Sequence, residues 1–290
     1  MRGARWLVDS LRDKQPFNKA LGQHYLVNDE LISRAIELAE LSENDHVLEV
    51  GPGPGVLTEA ILATGCRLTA IEIDSVSVEH LKHAFAPEIE RQQLTLLSGD
   101  VLEMEWPHDL SKVVANIPYQ ISSPLIELLT RYLRNPRTHQ LERVIMLVQE
   151  EFAERLVMEY ESDIGSLGMT ASLDWMCELE DKVGPHHFSP MPKVHSRYIS
   201  MEPHNEQWPC DVKLVRLMIH LAFDQRRKKL RTTLKQVPRR IGRVKQWHAG
   251  RWKDAYKAHQ DDERMELRPE EFELEDWIDL CSSFTQSTLD

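Results

Sequence analysis

His46-Val47-Leu48-Glu49-Val50-Gly51-Pro52-Gly53-Pro54-Gly55 decides the fold. Val47, Leu48 and Val50 form a short apolar run of the kind that builds a buried parallel strand. Gly51, Gly53 and Gly55 follow at every second position. Glycine lets a backbone turn sharply and approach a ligand closely. Val56 to Leu62 then opens a helix. Strand, glycine turn and helix make the first unit of a nucleotide-binding α/β sheet. A dinucleotide fingerprint reads G-x-G-x-x-G, whereas this stretch reads E-x-G-x-G-x-G. The spacing points to S-adenosylmethionine, whose cationic sulfonium needs no pyrophosphate cradle.

Strands and helices alternate outward from this turn. Strands are expected over 68–73, 94–97, 112–115 and 144–148, with helices over 29–41, 75–85, 124–133 and 150–160. A closing pair of strands is expected over 167–183 and 197–202. Such alternation implies a mostly parallel sheet with right-handed crossovers. Ligands of these sheets sit outside the carboxyl ends of the strands. Gly51, Glu72, Asp100 and Asn116 fall at four consecutive strand ends.

Three residue groups suit that place. Glu72 lies twenty-one residues after Gly51 and can accept both ribose hydroxyls of an adenosyl group. Asp100 can accept from the adenine amine, and Ile73 and Val101 beside these acids complete the expected cofactor contacts with Gly53 and Gly55. Asn116-Ile117-Pro118-Tyr119 suits methylation of an exocyclic adenine amine, whose lone pair is delocalised into the ring. An Asn oxygen and the Ile117 carbonyl before Pro118 can accept both N–H bonds and favour a pyramidal nitrogen. Tyr119 offers a flat face to an extruded base.

The chain has 290 residues, 41% of them hydrophobic, enough for one large domain and one small one. No apolar run is long enough to span a bilayer, and the first residues lack the apolar segment of a signal peptide. Cys66, Cys177, Cys210 and Cys281 are scattered, with no zinc-like spacing. These features predict a cytoplasmic protein without a metal. The net charge is −12, yet residues 226–253 hold twelve Lys or Arg and no acid. Residues 254–290 hold twelve acids against three bases. A basic patch on an acidic protein reads as a local polyanion site. Arg226, Arg227, Lys228, Lys229, Arg231 and Lys235 are its expected contacts. Leu230, Leu234 and Val237 predict a helix through this run up to Pro238.

The motifs LGQHYL (21–26), EVGPGPG (49–55), IEID (71–74), GD (99–100), NIPY (116–119), FSPMPKVHS (188–196) and FDQRRKKLRTTL (223–234) together resemble the small-subunit ribosomal RNA adenine N6,N6-dimethyltransferases. Tyr25 and Ile117 stand where Phe and Leu are more usual. The resemblance implies a Rossmann-like class I S-adenosylmethionine-dependent sheet with a small C-terminal helical domain. It implies two neighbouring adenosines near the 3′ end of small-subunit rRNA as substrate, each methylated twice. It also implies that His24 and Leu26 touch the cofactor and that Phe188 faces Tyr119 across the target base. The expected organisation is an arm over 1–30, a catalytic domain over 31–203 and an rRNA-binding helical domain over 204–290, acting as a monomer. The acidic balance and the HYL arm suggest an archaeal type. The alternatives are a large-subunit rRNA methyltransferase of the macrolide-resistance type, a DNA adenine methyltransferase, or a non-catalytic ribosome-assembly or transcription factor.

Overall fold

The structure, a computed structural model, describes residues 3–14, 22–139, 141–204 and 206–287. Leu21 of the LGQHYL segment lies outside the described residues. The first compact unit comprises residues 1–157 and 176–203, and the second 158–175 and 204–290.

A seven-stranded sheet organises the first unit. Its centre is β2 (His46–Val50), every residue of which is buried. β2 pairs in parallel with β3 (Arg67–Glu72) on one side and β5 (Lys112–Asn116) on the other. β4 (Leu94–Ser98) extends β3, and β6 (Arg143–Gln149) extends β5, both in parallel. β9 (Ser196–Pro203) then runs antiparallel to β6, with β7 (Trp175–Val183) beyond it. The chain leaves β2 for β3 in one direction and reaches β5 in the other, so a crevice opens at the carboxyl ends where the order reverses.

The helices follow from local signals. α2 (Asp29–Ala39) starts where the Asn28 side chain accepts from the Leu31 N–H. α4 (Ser75–Ala84) is capped in the same way by Asp74. α3 (Val56–Leu62) begins at Gly55, whose φ of 86° requires glycine. A Cβ on Gly55 would lie 2.4 Å from the Phe85 ring. The glycine lets Phe85 lie against the turn.

Three expectations need correction. The N-terminal arm contains a helix, α1 (Ala4–Arg12), which buries Ala4, Leu7 and Val8 in the core of the first unit and Leu11 beside them in sequence. Its i, i+3, i+4, i+7 apolar spacing is the ordinary amphipathic pattern, masked in the sequence by mixed charge. The predicted strand over 167–183 begins only at Trp175. Residues Ser166–Ala171 form a helix, α8, whose Met169 is buried in the core of the second unit. Residues 158–175 therefore group with the helical unit, not with the predicted 31–203 domain.

The third correction concerns the basic run. α9 spans Val212–Phe223, but residues 224–228 are turns and a bend, and α10 spans only Leu230–Thr233. The Leu230 N–H donates to the Leu267 carbonyl over 2.9 Å, a tertiary partner in place of a helical one. α11 (Ala249–Ala258) and α12 (Leu274–Gln286) complete the second unit around Trp252 and Trp277, both fully buried.

Candidate active site

One cavity of the first unit gathers nearly all the residues expected at the cofactor and the base. His24, Leu26, Gly51, Gly53, Glu72, Ile73, Asp100, Val101, Asn116, Ile117, Pro118, Tyr119 and Phe188 all line it. Gly55 does not; it serves the packing of Phe85 instead.

The glycine turn and the acid of β3 are joined. The Gly53 N–H donates to Glu72 Oε2 and the Asp74 N–H to Glu72 Oε1, each over 2.9 Å. Glu72 is nearly buried, and burial raises its carboxyl above the ordinary range despite these donors. Tyr25 lies so close to the turn that a Cβ on Gly53 would stand 2.5 Å from its ring. A second acid, Glu49, lines the same cavity. It is 1% exposed and accepts from Thr58 Oγ1 over 2.7 Å. Burial pushes its carboxyl up to about 8, with the Glu72 charge adding to the shift. Sequence reasoning passed over Glu49 because the acid falls inside an apolar strand.

Asp100 turns one oxygen to the Leu102 N–H at 2.9 Å. Ile73 is 54% exposed although large and apolar, and it lines the cavity next to Glu72. This donor set fits S-adenosylmethionine. Its carboxylates suit a diol, an amine and a net positive charge, and the apolar side chains of Ile73 and Val101 suit a flat base.

The NIPY segment leaves two acceptors open. Neither the Asn116 side chain nor the Ile117 carbonyl has a hydrogen-bond partner among the described residues. Tyr119 is fixed by its hydroxyl, which shares a 2.8 Å hydrogen bond with Ser196 Oγ. Ser196 is fully buried at the start of β9 and ends the FSPMPKVHS segment. Burial raises the Tyr119 hydroxyl, so it stays protonated through the neutral range.

Phe188 sits in β8 (Phe188–Ser189), paired antiparallel with β1 (Tyr25–Leu26), and is 5% exposed. The two short strands bring the N-terminal motif and the FSPMP segment to one cavity wall. The ring stacked with Tyr119 is His24, at 6.3 Å between centroids and 21° between planes. His24 Nδ1 donates to the Pro190 carbonyl over 2.8 Å. The His24–Pro190 and Tyr119–Ser196 bonds are pairings that linear motifs do not reveal.

The expected RNA contacts divide into two sets. Arg226 donates to Glu270 at 2.7 Å, and Lys229 and Arg231 both donate to Glu266 at 2.7 and 2.6 Å. Arg227, Lys228 and Lys235 are exposed and carry no ion pair among the described residues.

The sequence profile of the ribosomal RNA adenine dimethylases matches residues 14–248. The chain belongs to the ribosomal RNA adenine dimethylase family. It is 33% identical over 286 residues to the ribosomal RNA small subunit methyltransferase A of Synechococcus elongatus, covering 94% of this chain and 97% of that one. It is 34% identical over 227 residues to the probable ribosomal RNA small subunit methyltransferase A of Thermococcus gammatolerans, covering 78% and 76%. A dimethyladenosine transferase from Plasmodium falciparum superposes with a TM-score of 0.76 at 23% identity, covering 90% of this chain and 98% of that one, and shares the fold. This rRNA adenine dimethylase is thus an S-adenosylmethionine-dependent enzyme with a class I methyltransferase sheet and C-terminal helices. The cyanobacterial relative is as similar as the archaeal one, so the acidic surface and the HYL arm do not establish an archaeal source.

Proposed function

We propose that this rRNA adenine dimethylase methylates the N6 amines of two neighbouring adenosines near the 3′ end of small-subunit rRNA, each twice, during subunit biogenesis. The names of its relatives support the small subunit over the large one. The open acceptor pair of Asn116 and Ile117, beside a ring held by Ser196, carries the chemical reading.

S-adenosylmethionine would supply an electrophilic methyl group on a positively charged sulfur, the S–CH3 bond breaking as the N–CH3 bond forms and the sulfur leaving as the neutral thioether of S-adenosylhomocysteine. Glu72 would hold the ribose hydroxyls with the lone pairs that Gly53 and Asp74 leave. Asp100 would accept from the cofactor's adenine amine, between Ile73 and Val101, with His24, Leu26 and Gly51 completing the contacts. The Asn116 side chain and the Ile117 carbonyl accept the two N–H bonds of the target amine. Those bonds favour a pyramidal nitrogen with its lone pair free to attack. No strong base is required, because nitrogen becomes acidic once alkylated and its proton can leave to water. Tyr119 stacks on the extruded base, and Phe188 closes the cavity from the β1–β8 wall.

The partner in this reading is rRNA in an assembling small subunit, held in part by the bases of the second unit. The enzyme acts as a cytoplasmic monomer. Four free cysteines suit a reducing compartment. Incubating the purified chain with methyl-labelled S-adenosylmethionine and unmethylated small subunits tests the proposal. Labelled N6,N6-dimethyladenosine in the small-subunit rRNA is expected. Label confined to large-subunit rRNA, or no transfer at all, would overturn it.

A further inference from the structure

Beyond the Arg226–Arg231 run, the chain builds a second basic segment of different character. Pro238, Ile241, Val244 and Trp247 are buried, one at every third position. Hydrogen bonds join Ile241 N–H to the Pro238 carbonyl, Val244 N–H to Ile241 and Trp247 N–H to Val244, over 3.0–3.1 Å. Only Ile241–Arg243 is a 3-10 helix; Val244 is extended and Gln246 has a φ of 65°, so a chain of turns, and not one helix, keeps the buried residues three apart. One row is therefore sunk in the core of the second unit. The other two rows point to solvent and hold Arg239, Arg240, Arg243 and Lys245, all exposed. None of the four has an ion pair or side-chain hydrogen bond among the described residues.

The Arg226–Arg231 run contrasts with it. Glu266 lies between Lys229 and Arg231, and Glu270 holds Arg226. The Leu230 N–H and the Arg231 carbonyl are stitched to Leu267 and to the Tyr256 hydroxyl. Arg226, Lys229 and Arg231 are substantially neutralised by the acidic C-terminal segment and hold it to the domain, which leaves Arg227 and Lys228 as the exposed cations of the run without an ion pair among the described residues.

We propose that the outward rows of 239–245 form a phosphate-contact strip by which the second unit grips rRNA, beside the unpaired Arg227, Lys228 and Lys235, with Arg226, Lys229 and Arg231 acting mainly as intramolecular ties. Unpaired cations on a rigid backbone meet phosphates at little ordering cost. The apolar residues of the segment all point inward, which leaves no face for insertion into a membrane. The proposal rests on rRNA being the substrate.

Gly242 supplies the test. It lies between Arg239 and Lys245 in its row, and a Cβ added there meets nothing within 4 Å. Both Gly242→Glu and Gly242→Lys should therefore fold with unchanged thermal midpoints and unchanged S-adenosylmethionine affinity. Binding of the full chain to purified small subunits and to an RNA hairpin is measured against salt. Gly242→Glu should weaken binding and flatten the slope of log K against log salt by about 0.7–0.9, one contact's worth. Gly242→Lys should tighten binding and steepen it. Equal affinities and slopes for both variants, with the parent chain binding RNA normally, would overturn the strip. So would a charge effect seen on anionic phosphatidylglycerol vesicles and not on RNA. No binding of RNA by the parent chain would instead sink the substrate reading. As a further check, Lys229→Met with Arg231→Met should lower the thermal midpoint and keep the parent slope. A loss of slope as large as that of Gly242→Glu would contradict the division of labour.

Discussion

The Gly53 N–H donates to the Glu72 carboxylate over 2.9 Å, so the glycine turn after β2 and the acid ending β3 form one unit. Each positions the other. Glu72→Ala should lower S-adenosylmethionine affinity by about 1.5–3 kcal/mol for each charge-assisted bond lost. It should also loosen the turn, because the Gly53 and Asp74 donors lose their acceptor. Calorimetry with the cofactor measures the first effect. An unchanged affinity would remove Glu72 from the cofactor site.

Asn116→Ala should separate chemistry from folding. The side chain has no partner among the described residues, so stability should change by no more than about 0.5 kcal/mol. Methyl transfer should fall by about 10²–10³-fold or more, the usual scale for losing one preorganised polar group at a reacting atom. Single-turnover transfer to small subunits reads this directly. A near-normal rate would refute the role given to the NIPY segment.

Ser196 should act as a positioning residue through Tyr119. Ser196→Ala leaves the Tyr119 hydroxyl without its 2.8 Å partner in a half-buried site, at a cost of about 1–3 kcal/mol. The ring is then free to shift, and kcat should fall. Tyr119→Phe keeps the ring and removes the stranded hydroxyl, so it should recover stability in the Ser196→Ala background. A double-mutant cycle with no coupling between the two positions would show that the hydroxyl bond does not matter.

Glu49 should make the protein pH-sensitive. Its carboxyl stays protonated up to about 8 when folded but ionises in the ordinary carboxylate range when unfolded. Between those limits the folded state binds the extra proton, so stability falls as pH rises and levels off above about 8. Glu49→Gln should flatten that decline in denaturant titrations. A cationic cofactor favours the ionised acid, so its binding at neutral pH should release protons. Calorimetry in two buffers of different ionisation enthalpy counts them. Proton release that persists in Glu49→Gln would assign it elsewhere.

Gly55→Ala should damage the fold without touching the cavity. The residue has a φ of 86°, and the new Cβ would lie 2.4 Å from the Phe85 ring. Backbone strain and overpacking together predict a loss of about 2–4 kcal/mol. If the variant unfolds like the parent chain, Gly55 is not held by Phe85.

The parallel sheet and its ligand edge were legible in the chain because both are written locally. β2 carries the apolar residues Val47, Leu48 and Val50, and the turn after it needs glycine for positive φ. Polar residues at four strand ends then meet at one edge, since parallel strands all point the same way. Asn116 and Tyr119 were expected at that edge from their sequence, and both line the cavity. Three facts needed the tertiary structure. Residues 166–171 choose a helix because Met169 finds the core of the second unit. His24 and Ser196 become partners of Pro190 and Tyr119 across long stretches of chain, and no spacing rule encodes that. The run 226–231 and the acids after 254 look like separate blocks in sequence. Folding brings Glu266 and Glu270 onto Arg226, Lys229 and Arg231. Charge along a chain is a sum over residues, but the field at a surface depends on which charges fold next to each other. The sequence by itself therefore determined that the second unit carries a basic block over 226–253; only the tertiary structure decided which of its bases face solvent unpaired.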